Sequence, residues 1–119
     1  MPRILVADDE PLIAMIVEDW LMELKFETLG PVGTVREALA LIETTPPDAA
    51  ILDVRLADGP SYAVAERLGA KRIPFAFASG QDAGDIDARF KDAPLLAKPF
   101  DLEQVRNVLA AMVPGHGFG

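Results

Sequence analysis

The chain has no cysteine, and its 119 residues include a single histidine, a single tryptophan and a single tyrosine. The absence of cysteine removes disulfides, thiolate metal sites and thiol nucleophiles together, and it agrees with a cytoplasmic location. The one histidine, His116, stands in a glycine-rich tail with no second ligand near it. A His-based metal site and a Ser-His hydrolase are therefore excluded, and no specific role is expected of His116. No apolar run approaches the roughly 20 residues that a membrane span requires, and the apolar stretch before Asp8 is too short for a signal peptide. A soluble protein without membrane contact is expected. Basic residues are scarce: 11 Lys and Arg against 19 Asp and Glu leave a net charge of −8. That balance argues against nucleic acid as a partner, because such binding neutralises phosphates with Lys and Arg. No glycine-rich loop follows the first apolar run, so a nucleotide-type phosphate cradle is missing as well.

What the sequence does contain is a regular alternation of short apolar runs and amphipathic stretches, with half of its residues hydrophobic. This length suits one domain that buries roughly two-thirds of its unfolded chain's surface. We place that domain at residues 1–113 and a flexible tail at 114–119. Ala50-Ile51-Leu52-Asp53 is apolar up to its last residue and lies between Pro46-Pro47-Asp48 and Asp58-Gly59-Pro60. Such a run reads as a strand buried on both faces. Further strands are expected at residues 3–7, 26–29, 73–78 and 95–97, the second stopped by Gly30-Pro31 at a sheet edge. After Pro11 a long helix should bury Ile13, Ile16, Trp20 and Leu24. Thr34-Val35-Arg36-Glu37 has the pattern of a capping box, and Asp101-Leu102-Glu103-Gln104 repeats it before the last helix. A helix at about 61–68 carries Ala65 and Leu68 inward, and the polar stretch 81–92 predicts a short, loosely packed fourth helix. Five strands alternating with five helices give a parallel sheet covered on both faces. The flavodoxin-like order 2-1-3-4-5 puts the weak second strand at an edge and makes strands one and three neighbours.

That order brings the chemistry together. Ile4-Leu5-Val6-Ala7 ends in Asp8-Asp9, the central strand ends in Asp53, and Leu95-Leu96-Ala97 ends in Lys98. Ligands of open parallel sheets bind outside the carboxyl ends of the strands. These four residues therefore read as a set that holds a divalent metal and accepts a phosphoryl group. Clustered carboxylates repel one another, and a hard cation such as Mg²⁺, which takes about six oxygen ligands, relieves that repulsion. Each residue alone has an ordinary explanation: Asp8-Asp9 near a helix N-terminus, Asp53 and Ser79 as caps. A lysine between an apolar strand and Pro99 is harder to explain as surface.

Taken together, Asp8-Asp9, Asp53, Ser79 and Lys98-Pro99, each after the appropriate strand, resemble the receiver domain of bacterial two-component response regulators over essentially the whole chain. The resemblance implies a signalling switch that accepts a phosphoryl group on Asp53 from a sensor histidine kinase or histidine phosphotransferase. It implies Mg²⁺ as cofactor, with Asp9 and Asp53 as direct ligands, Asp8 acting largely through water, and the main-chain carbonyl of Arg55 as a further ligand. Lys98 and the Ser79 hydroxyl would each take a phosphoryl oxygen, and a cis bond before Pro99 would aim the lysine into the site. Two features depart from the family. The position that usually carries a switching aromatic holds Leu95, and residues 74–80, Pro-Phe-Ala-Phe-Ala-Ser-Gly, resemble in part the strand-four motif of the FATGUY class of single-domain regulators, with Ser in place of Thr and with Gln81 and Asp82 where an aromatic is expected.

Other uses of the same fold remain open in the sequence. One is a phosphate sink in a phosphorelay, and another is an interaction module that is never phosphorylated, although such a module would be expected to lose an acid or the lysine. A phosphatase working through an aspartyl phosphate commonly has a second acid two residues beyond the nucleophile; here Arg55 occupies that position, which disfavours an enzyme.

Overall fold

The computed structural model describes residues 1–80 and 86–116. Its centre is a five-stranded parallel sheet built from β1 (Arg3–Ala7), β2 (Glu27–Val32), β3 (Ala49–Asp53), β6 (Phe75–Ser79) and β7 (Leu95–Ala97), in the order β2-β1-β3-β6-β7. Counted as sheet strands alone, this is the flavodoxin-like order 2-1-3-4-5. A small antiparallel pair, β4 (Arg55–Leu56) and β5 (Gly59–Pro60), follows β3. Four α-helices are described: α1 (Pro11–Glu23), α2 (Val35–Thr44), α3 (Tyr62–Ala70) and α4 (Leu102–Met112). No described helix is long and apolar enough to cross a membrane.

Strand side chains alternate between faces, and here both faces are covered. Ile4, Val6, Ile51 and Leu96 pack against Val17 and Leu21 of α1 and Val105 and Leu109 of α4. Leu5, Ala50, Leu52 and Phe77 pack against Ala38 and Ile42 of α2 and Val64, Ala65 and Leu68 of α3. Two-sided burial explains why the strands read as unbroken apolar runs rather than alternating ones.

The structure corrects the sequence reading in several places. Leu24, just after α1, is buried as expected, but within the helix the buried positions are Ala14, Val17 and Leu21, one step around from the expected Ile13, Ile16 and Trp20. Ile13 and Trp20 reach the same core only in part, Trp20 lying 6.1 Å from the Phe100 ring, and Ile16 is exposed. Residue size misled here: the small Ala14 lets the helix approach the sheet closely, and the larger neighbours are turned aside. The second strand does not stop at Gly30-Pro31. Gly30 adopts φ 95° and the Gly30–Pro31 bond is cis, and a Cβ on Gly30 would lie 2.9 Å from the Val32 nitrogen. Pairing with β1 shifts register there and resumes at Val32, whose carbonyl accepts from the Asp8 N–H at 2.9 Å. The edge position tolerates the proline's missing donor, as expected.

Of the expected fourth helix, residues 81–85 lie outside the described residues. The described remainder forms a 3₁₀ turn at Ala88–Phe90, where the Asp87 side chain accepts from the Arg89 N–H. His116 packs as well: its ring lies 4.1 Å from that of Phe26, and its Nε2 is 3.0 Å from the Leu24 carbonyl.

Of the two helix-start motifs, Asp101 with Gln104 completes a reciprocal capping box at α4, whereas at α2 only half forms: Thr34 Oγ1 accepts from the Glu37 N–H, and the Glu37 carboxylate takes the Thr34 hydroxyl instead of its backbone N–H. The turn between β4 and β5 adds a cap that the sequence did not suggest, since the Asp58 carboxylate accepts from the Val35 and Arg36 N–H groups at 2.7 and 3.2 Å. Asp101→Ala is expected to destabilise the domain by about 1 kcal/mol, read in urea unfolding as a lower midpoint with an unchanged slope.

Candidate functional site

Sheet register sets the site. Ala7 pairs with Leu52, so Asp8 leaves β1 beside Asp53 at the end of β3. Asp53 in turn pairs with Ala78, and Ser79 pairs with Ala97. The Lys98 N–H donates to the Ser79 carbonyl at 2.8 Å, carrying the ladder one residue further. The Lys98–Pro99 bond is cis. Each polar side chain is therefore the first group beyond an apolar strand, placed by the hydrogen bonds of the strand behind it.

Lys98 occupies the middle. Its Nζ lies 3.0 Å from Asp53 Oδ2, 3.2 Å from Asp8 Oδ2 and 2.9 Å from Glu10 Oε1. The ammonium donates to Asp53 and Glu10, and Asp8 adds a charge pair beside them. Asp8 is fixed further by the Glu10 N–H, which donates to its Oδ1 at 2.9 Å. Among the described residues, Asp53 Oδ1 has only a long contact, 3.5 Å, from the Arg55 N–H. A cleft of about 640 Å³ opens over these groups, lined by Asp9, Glu10, Asp53, Arg55, Ser79 and Lys98 among others. The structure therefore gathers every residue the sequence singled out: Asp8, Asp9, Asp53, Arg55, Ser79 and Lys98.

Two residues were missed. Glu10 was legible only as the third acid of an Asp-Asp-Glu run, and nothing in that run shows that its side chain turns back to Lys98. Tyr62 lines the cleft; it stacks on Phe90 with centroids 5.6 Å apart and meets the Phe77 ring edge-on at 6.1 Å. Its Oη accepts from the Asp87 N–H at 3.0 Å. Among the described residues, the ring beside the cleft comes from α3, while Leu95 pairs with Phe77 and joins the core on that face.

Burial pushes the Asp53 carboxyl above the ordinary aspartate range; the hydrogen bond and charge of Lys98 pull it back without offsetting the burial, and Asp8 adds repulsion. For Lys98, burial works against the charge, but hydrogen bonds to Glu10 and Asp53 and the fields of Asp53 and Asp8 outweigh it, holding the ammonium's pKa above that of an ordinary lysine. The lysine is therefore a permanent cation at neutral pH. Asp8, Asp9, Glu10 and Asp53 each present one carboxylate oxygen, all within 4.8 Å of one another. Four carboxylates against the Lys98 ammonium and the Arg55 guanidinium leave the cleft net negative, and an all-oxygen donor set of this kind fits a hard divalent cation such as Mg²⁺.

A doubly wound sheet with acids after its first and third strands and a lysine after its last defines a class of phosphoryl-accepting signalling module. The family model of the response regulator receiver domain matches residues 4–110. The chain is 33% identical over 107 residues to the transcriptional regulatory protein PdtaR of Mycobacterium tuberculosis, an alignment spanning 87% of this chain and 52% of that protein. It is 33% identical over 112 residues to the phyllosphere-induced regulator PhyR of Methylorubrum extorquens, spanning 91% and 42% respectively. The chain thus spans about half the length of the curated relatives it matches. Among solved structures, SdrG from Sphingomonas melonis shares 48% identity with a TM-score of 0.84, over 95% of this chain and 97% of that one. Against SdrG in its BeF3-activated conformation the TM-score is 0.80 at the same identity, over 93% and 95% of the two chains. The chain belongs to the receiver domain family of two-component response regulators, which act as signalling switches rather than as conventional enzymes.

The raised Asp53 pKa has a defined sign in stability. A carboxyl whose folded-state pKa lies above its unfolded value contributes most below the unfolded pKa, about 3.9, and loses that contribution as pH rises through the folded value. In metal-free buffer, Asp53→Asn is therefore expected to gain stability relative to the parent as pH is raised from about 4 to about 7. Paired urea titrations across that range check it, and a difference that is flat or narrows would contradict the assigned burial.

Proposed function

We propose that the protein is a phosphorylation-dependent switch in which Asp53 accepts a phosphoryl group from a sensor histidine kinase or a histidine phosphotransferase and passes the signal on through protein–protein contacts. The observation that carries this reading is the Asp53 carboxylate at the floor of an open cleft, with one oxygen tied to Lys98 at 3.0 Å and the other in a long contact with the Arg55 N–H. The less constrained oxygen, Oδ1, attacks phosphorus; an O–P bond forms, the N–P bond to the donor histidine breaks, and the imidazole leaves with the electron pair. Asp9, Asp53 and the Arg55 carbonyl, with Asp8 behind them, would hold Mg²⁺. When bound, that ion supplies the positive charge that offsets the clustered carboxylates and the incoming phosphoryl oxygens.

Lys98 then retains one phosphoryl oxygen, and the Ser79 hydroxyl donates to another, drawing in the end of β6. Magnitudes decide how complete the switch is. Moving a population from 1:99 to 99:1 takes about 5.5 kcal/mol. A neutral hydrogen bond from Ser79 contributes about 1 kcal/mol and a charged one from Lys98 about 1.5–3 kcal/mol. The two together fall short, so binding of a downstream partner completes the shift. The run at residues 74–80 supports placing the chain in the FATGUY class, with Ser79 standing in the cleft wall.

Intact mass after incubation with Mg²⁺ and a small phosphodonor tests the chemistry. A single phosphate adduct is expected on the parent and none on Asp53→Asn; an adduct on the variant, or none on either protein with a range of donors, would overturn the assignment. Ser79→Ala is expected to keep the adduct while the activated population falls by the equivalent of about 1 kcal/mol, read from NMR shifts at the end of β6.

A further inference from the structure

The Lys98 ammonium is already engaged: it donates to Glu10 and Asp53 at 2.9 and 3.0 Å, and Asp8 adds a charge pair at 3.2 Å. A phosphoryl oxygen that approaches Lys98 from the cleft therefore competes with these carboxylates. The three are not equivalent. The side chains of Asp8 and Asp53 are 6% and 12% exposed, whereas that of Glu10 is 55% exposed. Releasing a buried carboxylate from its cation leaves an unpaired buried charge, a heavy penalty. An exposed carboxylate released into water regains its hydration, and such pairs are weak to begin with.

Local structure points the same way. Glu10 occupies the N-cap of α1, a position that favours Ser, Thr, Asp or Asn with the side chain bonded to the helix's first N–H groups. The Glu10 side chain makes no such bond; its backbone carbonyl accepts from Ala14, and the carboxylate turns back over the cleft. The helix therefore does not need this side chain, and Lys98 is what it serves.

We propose that Glu10 is a placeholder: in the unphosphorylated protein its carboxylate fills the position on Lys98 that a phosphoryl oxygen takes, and phosphorylation displaces it. This rests on the function proposed above. Glu10 is a positioning residue that touches the lysine, and its effect is to lower the affinity of the resting site for a phosphoryl-like anion and to give the switch a contact that must break.

BeF₃⁻, a phosphoryl mimic, tests the idea without turnover. At saturating Mg²⁺, Glu10→Gln is expected to bind BeF₃⁻ about two- to fivefold more tightly than the parent, followed by NMR or by fluorescence of Trp20. A structure of the parent with Mg²⁺ and BeF₃⁻ should show the Glu10 carboxylate beyond hydrogen-bond reach of Lys98. Unchanged or weaker anion binding by the variant overturns the placeholder, as does Glu10 still bonded to Lys98 in the complex. Weaker Mg²⁺ binding by Glu10→Gln without BeF₃⁻ would make Glu10 a metal ligand and overturn it equally. If the parent itself fails to take BeF₃⁻ while Mg²⁺ binds, the proposed phosphoacceptor chemistry fails first.

Discussion

The contact on which the rest of this structure depends is the one between the Lys98 ammonium and the carboxylates of Asp8 and Asp53. It joins the last strand of the sheet to the first and third at the end where backbone pairing stops. Without the lysine, two buried carboxylates would face one another across adjacent strands, an arrangement that burial and repulsion both oppose. With it, the site is stable enough to exist and still carries more negative than positive charge. That imbalance makes the cleft receptive to a divalent cation and responsive to a further change in charge. The same feature that strains the fold therefore gives it a signal to detect.

The two faces of the sheet serve the cleft differently. On one, aliphatic side chains of α1 and α4 close over Ile4, Val6 and Ile51. On the other, the rings of Tyr62, Phe75, Phe77 and Phe90 contact one another at centroid separations of 5.5–6.1 Å. Tyr62 carries that cluster up to the cleft wall, while Phe77 sits one residue before Ala78, the partner of Asp53 in the ladder. The end of β6 thus abuts packed aromatic side chains, which have discrete arrangements and do not deform continuously. The usual aromatic position being Leu95, the ring that lines the cleft among the described residues comes from α3, where Tyr62 stacks on Phe90.

Most of the sheet was legible because two-sided burial leaves an unmistakable trace: short apolar runs ending in charge. The catalytic-looking set followed, since Asp8, Asp9, Asp53 and Lys98 each close such a run. Where the reading failed, local pattern and tertiary packing disagreed. The α1 stripe was misplaced because Ile13, Ile16 and Trp20 are larger than Ala14, and periodicity weighs size without seeing which face fits closest. Gly30-Pro31 looked like a stop, but the positive φ of the glycine lets the strand bulge and resume. Asp58 read as a turn residue, yet it caps a helix more than twenty positions earlier in the chain.

By itself the sequence determined the strands, the capped ends of α2 and α4, and which side chains stand at the carboxyl ends of the strands, because burial periodicity, turn residues and capping are local effects written in neighbouring residues. Only the tertiary structure decided that Glu10 shares Lys98 with two aspartates, that Tyr62 and Phe90 form the wall beside them, and that His116 packs on Phe26. Each of those joins residues 25 or more positions apart, and a contact across such a separation is set by how helices and strands pack, which no local pattern encodes.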